Sequence, residues 1–197
     1  MDNSGNAILG HNYGNSDNDI RHSFVAAAMY ELPWGRGRMW MTNAPKVLDY
    51  MIGGWQWNNI LTLQTGSPMN VSDGGLLFTQ YNGGCSTGVS STVWLSCPAG
   101  SFAHISTGLP TGNLARGYFH GPGVRTWDSS VFKTFPFTER YKMELRLEGI
   151  NVLNHPLWQN PDGGVTDGTF GQLGPAAGNS TRLSSERHVQ LVARFIF

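Results

Sequence analysis

The feature that most limits what this chain can fold into is a strict two-residue alternation near its C-terminus. Between 140 and 153, Tyr141, Met143, Leu145 and Leu147 alternate with Lys142, Glu144, Arg146 and Glu148. Between 187 and 197, Val189, Leu191, Ala193, Phe195 and Phe197 alternate with His188, Gln190, Val192 and Arg194. A period of two sends successive side chains to opposite faces of a β-strand, whereas a helix would mix these two sets on its surface. The same pattern recurs over 54–71, where Trp55, Trp57, Leu61 and Leu63 oppose Gln56, Asn58, Thr62 and Gln64. Over 124–136, Asp128, Ser130 and Thr134 oppose Trp127, Val131 and Phe135. Residues 21–33 read as a fifth, N-terminal strand.

Breakers punctuate these segments: Trp34-Gly35-Arg36-Gly37, Gly121-Pro122-Gly123 and the tight turn Phe137-Thr138-Glu139-Arg140. Residues 44–53 read as a short helical turn, with Asn43 as cap, Pro45 in the first turn and Gly53 at the end. Residues 1–20, 72–123 and 154–186 read as loops. The 26 glycines and 10 prolines suit a chain of many turns, and 12% aromatic residues are too many for a disordered one. With a formal net charge of zero, the chain lacks the basic footprint of a nucleic-acid binder, so no nucleic-acid partner is expected.

Alternating strands build soluble sandwiches as well as membrane barrels, and three features favour the barrel. The connections are short and long in turn: 34–53 and 137–139 are the shorter, 72–123 and 154–186 the longer. With the C-terminus in the periplasm, every long connection falls outside the cell, as in outer-membrane barrels. Aromatics gather near strand ends (Trp34, Trp55, Trp57, Trp127, Phe135, Phe137, Tyr141, Phe195, Phe197), as in the two girdles of a barrel. The polar face of the fourth strand carries Lys142, Glu144, Arg146 and Glu148 in alternating sign, suited to pairing across a wet lumen. Each strand also supplies the roughly 9–11 residues that a tilted strand needs to cross hydrocarbon. No apolar run is long enough for a transmembrane helix. The mean hydropathy of −0.25 is compatible with a barrel, because alternating strands average out. The expected fold is therefore all-β, an antiparallel transmembrane β-barrel segment of about five strands with long external loops, located in a bacterial outer membrane and in contact with its lipid.

Chemistry is sparse. The six histidines (His11, His22, His104, His120, His155, His188) lack metal-ligand spacing, and no nucleophile elbow or phosphate loop is present. Glu144 and Glu148 are four residues apart on one strand, roughly 13 Å between Cα atoms, with Lys142 and Arg146 interleaved; ion pairing suits them better than acid–base work. No catalytic residue, metal site or cofactor is expected, and the chain is read as a non-enzyme. Cys85 and Cys97 lie close together in a polar Ser/Gly-rich stretch; a disulfide in an oxidising compartment is expected, with two free thiols as the alternative. The loop 72–123 carries Phe78, Tyr81, Trp94, Phe102, Tyr118 and Phe119. Tyr81, Trp94, Tyr118 and Phe119 are candidate contacts for an external ligand such as a sugar or polymer, or else pack the loop itself.

Several runs resemble the late barrel strands of Oar-like TonB-dependent outer-membrane receptors. They are Asp17-Asn18-Asp19-Ile20-Arg21-His22-Ser23-Phe24-Val25, Tyr30-Glu31-Leu32-Pro33-Trp34-Gly35-Arg36-Gly37, Gly53-Gly54-Trp55-Gln56, Gln64-Thr65-Gly66-Ser67-Pro68, Gly121-Pro122-Gly123 with Asp128, Ser130, Phe132 and Lys133, and Asn151-Val152-Leu153-Asn154-His155-Pro156. The set is ordered and spans almost the whole chain. The end of the chain resembles the C-terminal recognition signal of outer-membrane proteins through Gln190, Phe195 and Phe197, with Val192 where glycine is usual. The resemblance implies energised uptake or binding of a bulky nutrient or polymer. It also implies insertion by the barrel-assembly machinery through the last strand, and contact with TonB only through an N-terminal plug that these residues do not include. Receptors of this kind have many more strands than five, so the chain is expected to be a fragment of one, without transport activity alone. Two other readings remain: a secreted soluble β-sandwich that binds glycans, and a short surface-structural or adhesin protein that oligomerises to complete a barrel.

Overall fold

The computed structural model describes residues 14–73, 80–103, 113–173, 182–183 and 186–197. These form two compact units. The first comprises Phe24–Leu63, Arg125–His155 and Ser185–Phe197; the second comprises Met1–Ser23, Gln64–Val124 and Pro156–Ser184.

The first unit is built on one five-stranded sheet. Its strands are β1 (Ser23–Glu31), β2 (Gln56–Gln64), β3 (Val124–Pro136), β4 (Lys142–Ile150) and β5 (His188–Ile196). They lie in chain order, β1-β2-β3-β4-β5, and β4 pairs antiparallel with both neighbours. Each alternating segment of the sequence thus becomes a strand beside its chain neighbour. β1 and β5 are the two edges, so the sheet is an open, incomplete barrel wall.

The register puts Leu145 between Lys133 and Ala193, Leu147 between Val131 and Leu191, and Met143 between Phe135 and Phe195. On the other face Glu144 lies between Thr134 and Arg194, Arg146 between Phe132 and Val192, and Glu148 between Ser130 and Gln190. Directly paired residues share a face. The alternation within each strand therefore adds up to one mostly apolar and one mostly polar face. Over β5 the apolar face is open: Leu191 is 74% exposed and Phe195 67%.

Two connections close the end of the sheet at which β5 terminates. Between β3 and β4, the N–H groups of Phe137 and Thr138 donate to the Tyr141 carbonyl (3.0 and 3.2 Å), and Tyr141 N–H donates to Thr138 Oγ1 (3.0 Å). This is the tight turn that the sequence announces. Between β1 and β2 lies helix α1, Lys46–Ile52. Its N-cap is Pro45, and no side chain caps it, so Asn43 does not play the expected capping part. Gly53 N–H closes the last turn onto the Asp49 carbonyl, and Gly54, at φ +74°, redirects the chain into β2.

Beyond β4 the chain turns on Asn151, which holds a positive φ of 50°. Its backbone N–H donates to Asp128 Oδ1 (2.8 Å), and its side-chain amide exchanges two hydrogen bonds with the backbone of His155. A short amide side chain tolerates this conformation and satisfies backbone groups that the turn would leave unpaired. That is the physical content of the Asn151–Pro156 motif.

The second unit corrects two expectations. The strand expected over 54–71 stops at Gln64; Pro68–Met69 instead pairs with Phe119–His120. Gly66 approaches the Gly121 backbone too closely to admit a Cβ, and proline cannot donate to a central ladder, so the strand breaks there. The loops 72–123 and 154–186, expected to lack regular structure, also hold short antiparallel pairs: Gln80–Tyr81 with Phe102–Ala103, Ser86–Thr87 with Leu95–Ser96, and Leu157–Trp158 with Arg182–Leu183. They enclose a core of Met69, Val71, Leu95, Leu114 and Phe119, with Tyr81, Phe102, Val165 and Phe170 packed on it. Gly171, at φ +70°, brings its carbonyl to the N–H groups of Trp94 (2.9 Å) and Leu95 (3.1 Å). A Cβ there would collide with the Leu95 carbonyl. Cys85 and Cys97 form a disulfide and pack against the same core.

Candidate functional site

On the polar face of the sheet, β4 brings its charges together. Arg146 Nη2 lies 3.0 Å from Glu144 Oε1, and Nη1 lies 3.3 Å from Glu148 Oε1. One guanidinium thus bridges two carboxylates spaced two residues either side of it on the same strand face. The geometry follows from the pleat, since positions i−2 and i+2 flank i at about 7 Å. Gln190 Nε2 on β5 hydrogen-bonds Glu148 Oε2, and the Arg146 guanidinium lies 4.7 Å from the centre of the Phe132 ring on β3. The ladder therefore crosses three strands. Lys142, at the end of the row, lies opposite Pro136 and Ile196 and is exposed.

Beside this ladder is a hollow of about 260 Å³ lined by Asn58, Asp128, Ser130, Arg146 and Glu148, with Ile60 and Ile150. Asn58 Oδ1 is buried there without a hydrogen-bond partner among the described residues. Fixed carboxylates, a guanidinium and amide and hydroxyl groups make a wall suited to water and polar solutes. Nothing in it has the pairing that nucleophilic or acid–base chemistry needs. Among the described residues, no cluster of three or more His, Cys, Asp or Glu side chains could hold a metal.

The C-terminal residues Gln190, Phe195 and Phe197 lie on or just past β5, the edge strand, with Phe195 and Phe197 strongly exposed. The backbone of β5 bonds β4 on one side and offers its other side to a further strand.

The loop aromatics occupy different settings. Phe119 is buried, and Tyr81 packs against Phe102, Tyr118 and Phe119 with ring centres 5.3–5.8 Å apart. Trp94 Nε1 donates to the His120 carbonyl at 2.8 Å. Tyr118 is exposed. Of the four candidate ligand contacts, then, Tyr81 and Phe119 belong to the loop core, Trp94 braces it, and Tyr118 stands at the surface. Phe78, His11 and His104 lie outside the described residues.

Lys133, named above only as part of a motif, has a structural role that the motif does not disclose. Lys133 on β3 belongs to the apolar face, opposite Leu145, yet is 5% exposed. Its ammonium reaches the carbonyls of Tyr50 (2.5 Å) and Asp49 (3.5 Å) in α1, and lies 4.9 Å from the Phe135 ring centre. A cation on the greasy parity of β3 was the available signal.

Residues 2–190 match the family model described as an outer membrane beta barrel domain. No curated protein and no solved structure matches the chain.

Proposed function

Because the chain belongs to the outer membrane β-barrel domain family and so resides in the bacterial outer membrane, we propose that it forms part of the wall and external loops of an Oar-like TonB-dependent receptor that binds or takes up a bulky nutrient or polymer. The observation that carries this reading is the division of one sheet into two chemistries. The face with Met143, Leu145, Leu147, Leu191 and Phe195 meets lipid. The face with the Glu144–Arg146–Glu148 bridge lines a wet lumen. An open sheet with unpaired edges is unstable in hydrocarbon, so further strands complete the barrel. The free edge of β5, with Gln190, Phe195 and Phe197, is the surface that the barrel-assembly machinery engages by strand addition. The disulfide-braced loop unit displays Tyr118 for the ligand.

The test combines topology with transport. Bacteria lacking this gene product should lose growth on a polymeric or other bulky nutrient, and loss of TonB should reproduce the same defect. Normal growth of the first strain on every such nutrient that requires TonB would contradict the receptor reading. A chain extracted from membranes without detergent would contradict the lipid assignment as well.

A further inference from the structure

The connection between β1 and β2 is long for a periplasmic turn, and it is ordered. Leu32 N–H donates to the Trp55 carbonyl (2.9 Å) at its base. Trp40 N–H donates to the Pro33 carbonyl (3.0 Å), and Arg36 N–H donates to Asp49 Oδ1 (2.5 Å). Trp34 and Trp40 stack at 6.3 Å. Gly35 lies so close to Gly53 that a Cβ on it would strike both Gly53 Cα and the Asp49 carboxylate.

This folded segment is anchored to the apolar face of the sheet. Lys133 donates to the last carbonyls of α1, where the helix end carries partial negative charge, and Tyr50 packs on Phe135 at 5.4 Å. Over the stretch of β3 paired with β4, Lys133 is the one charged residue on that face. A bare lysine facing lipid is costly, least so near the interface. Here α1 covers it and satisfies it.

The outer surface of the segment is apolar and uncovered. Met39 is 82% exposed and Val47 76%, and Met51, one helical turn from Val47, is also exposed, as is Trp40. Arg36, Arg38 and Lys46 are interspersed with them, Arg38 being paired with Glu31 at 2.8 Å. At the same end of the sheet Phe137, Tyr141 and Phe197 are exposed as well. Apolar side chains, tryptophans and cations in one short stretch are the composition of an element lying at the headgroup boundary.

We propose that residues 34–52 form a membrane-surface foot: Lys133 seats the segment on the barrel wall, Val47, Met51 and Met39 dip into the periplasmic leaflet, and Arg36 and Lys46 meet phospholipid phosphates. The proposal rests on the lipid-facing assignment above. Its test keeps the two separable. The complete barrel that contains this chain, with Cys85–Cys97 left bonded, is inserted into vesicles of phosphatidylethanolamine and phosphatidylglycerol, with single nitroxide labels at 39, 47 or 51 and controls at 190 and 191. Oxygen should relax the labels at 39, 47 and 51 far more than a water-soluble nickel chelate does, at a depth of roughly 5–10 Å. A label at 191 reading lipid, with 39, 47 and 51 reading water, overturns the foot alone; a label at 191 reading water overturns the lipid face itself. Labels at 47 and 51 shielded from both probes would mean a protein partner or a second copy, and would also overturn the foot. In Lys133→Met the label at 47 should gain mobility and lose its fixed depth. Unchanged depth and mobility would overturn the seating role of Lys133.

Discussion

The two units bury their apolar residues in opposite ways. In the loop unit Met69, Val71, Leu95, Leu114, Phe119 and Leu173 are shielded, as in any small water-soluble core. In the sheet unit Ala44 is the one buried hydrophobic among the described residues, while Leu147, Val189, Leu191 and Phe195 are open. One chain thus follows two solvents. The loop unit is organised by exclusion of water and closed by a disulfide. The sheet unit is organised by its hydrogen-bond ladder and leaves its apolar face for lipid. Substitutions should therefore behave by unit rather than by residue type.

The largest effect should come from the loop core. Leu95 is 1% exposed, so Leu95→Ala removes buried contacts and leaves a cavity, at a cost of about 3 kcal/mol. Amide exchange around Ser86–Thr87 and Leu95–Ser96 should accelerate about a hundredfold, while β3 and β4 stay protected. Equal loss of protection in β4 would show that the two units fold as one. The paired change Cys85→Ser with Cys97→Ser should follow closely, at about 3 kcal/mol on the chain-entropy account, and again within the loop unit. Limited proteolysis between 80 and 103 reads it directly.

Legibility in the sequence follows the same division. The strands were visible because alternation is local: Lys142 through Glu148 announce their faces without reference to any other segment. Only β3 and β4 are joined by a tight turn; the other neighbours pair across long connections, following the tendency of consecutive strands to lie side by side. The loop core was not visible. Met69, Leu95 and Phe119 share no period, and their contact depends on two-residue pairings between distant segments, such as Pro68 with His120. Tyr81 and Phe119 show the consequence: composition could not tell an aromatic that packs a loop from one that a loop displays. Asn43 failed as a cap because α1 begins at Lys46 with Pro45 at its N-cap, which leaves Asn43 two residues too early.

A third test sharpens the contrast within the sheet. Leu191 and Gln190 are neighbours on β5, and both are exposed. Leu191→Arg should lower the stability of the complete barrel in vesicles by about 2 kcal/mol, because mid-strand arginine meets hydrocarbon. Gln190→Arg should cost well under about 1 kcal/mol, because that parity faces water and the neighbouring Glu148 offers a partner. Urea titration of the folded fraction measures both. Equal costs would remove the distinction between the faces.

The smallest effect is the most discriminating. Arg146 bridges Glu144 and Glu148, and its side chain is 33% exposed. On a hydrated lumen wall, Arg146→Met leaves two carboxylates that water can solvate, and the methionine still covers Phe132. The cost should be about 1 kcal/mol or less, and should shrink further in high salt as carboxylate repulsion is screened. On a dry face the same change would strand two unpaired charges and cost about 3–5 kcal/mol with little salt dependence. A small, salt-sensitive loss therefore marks the polar face as wet, whereas a large, salt-insensitive one would mean that protein covers it, and the lumen would lie elsewhere.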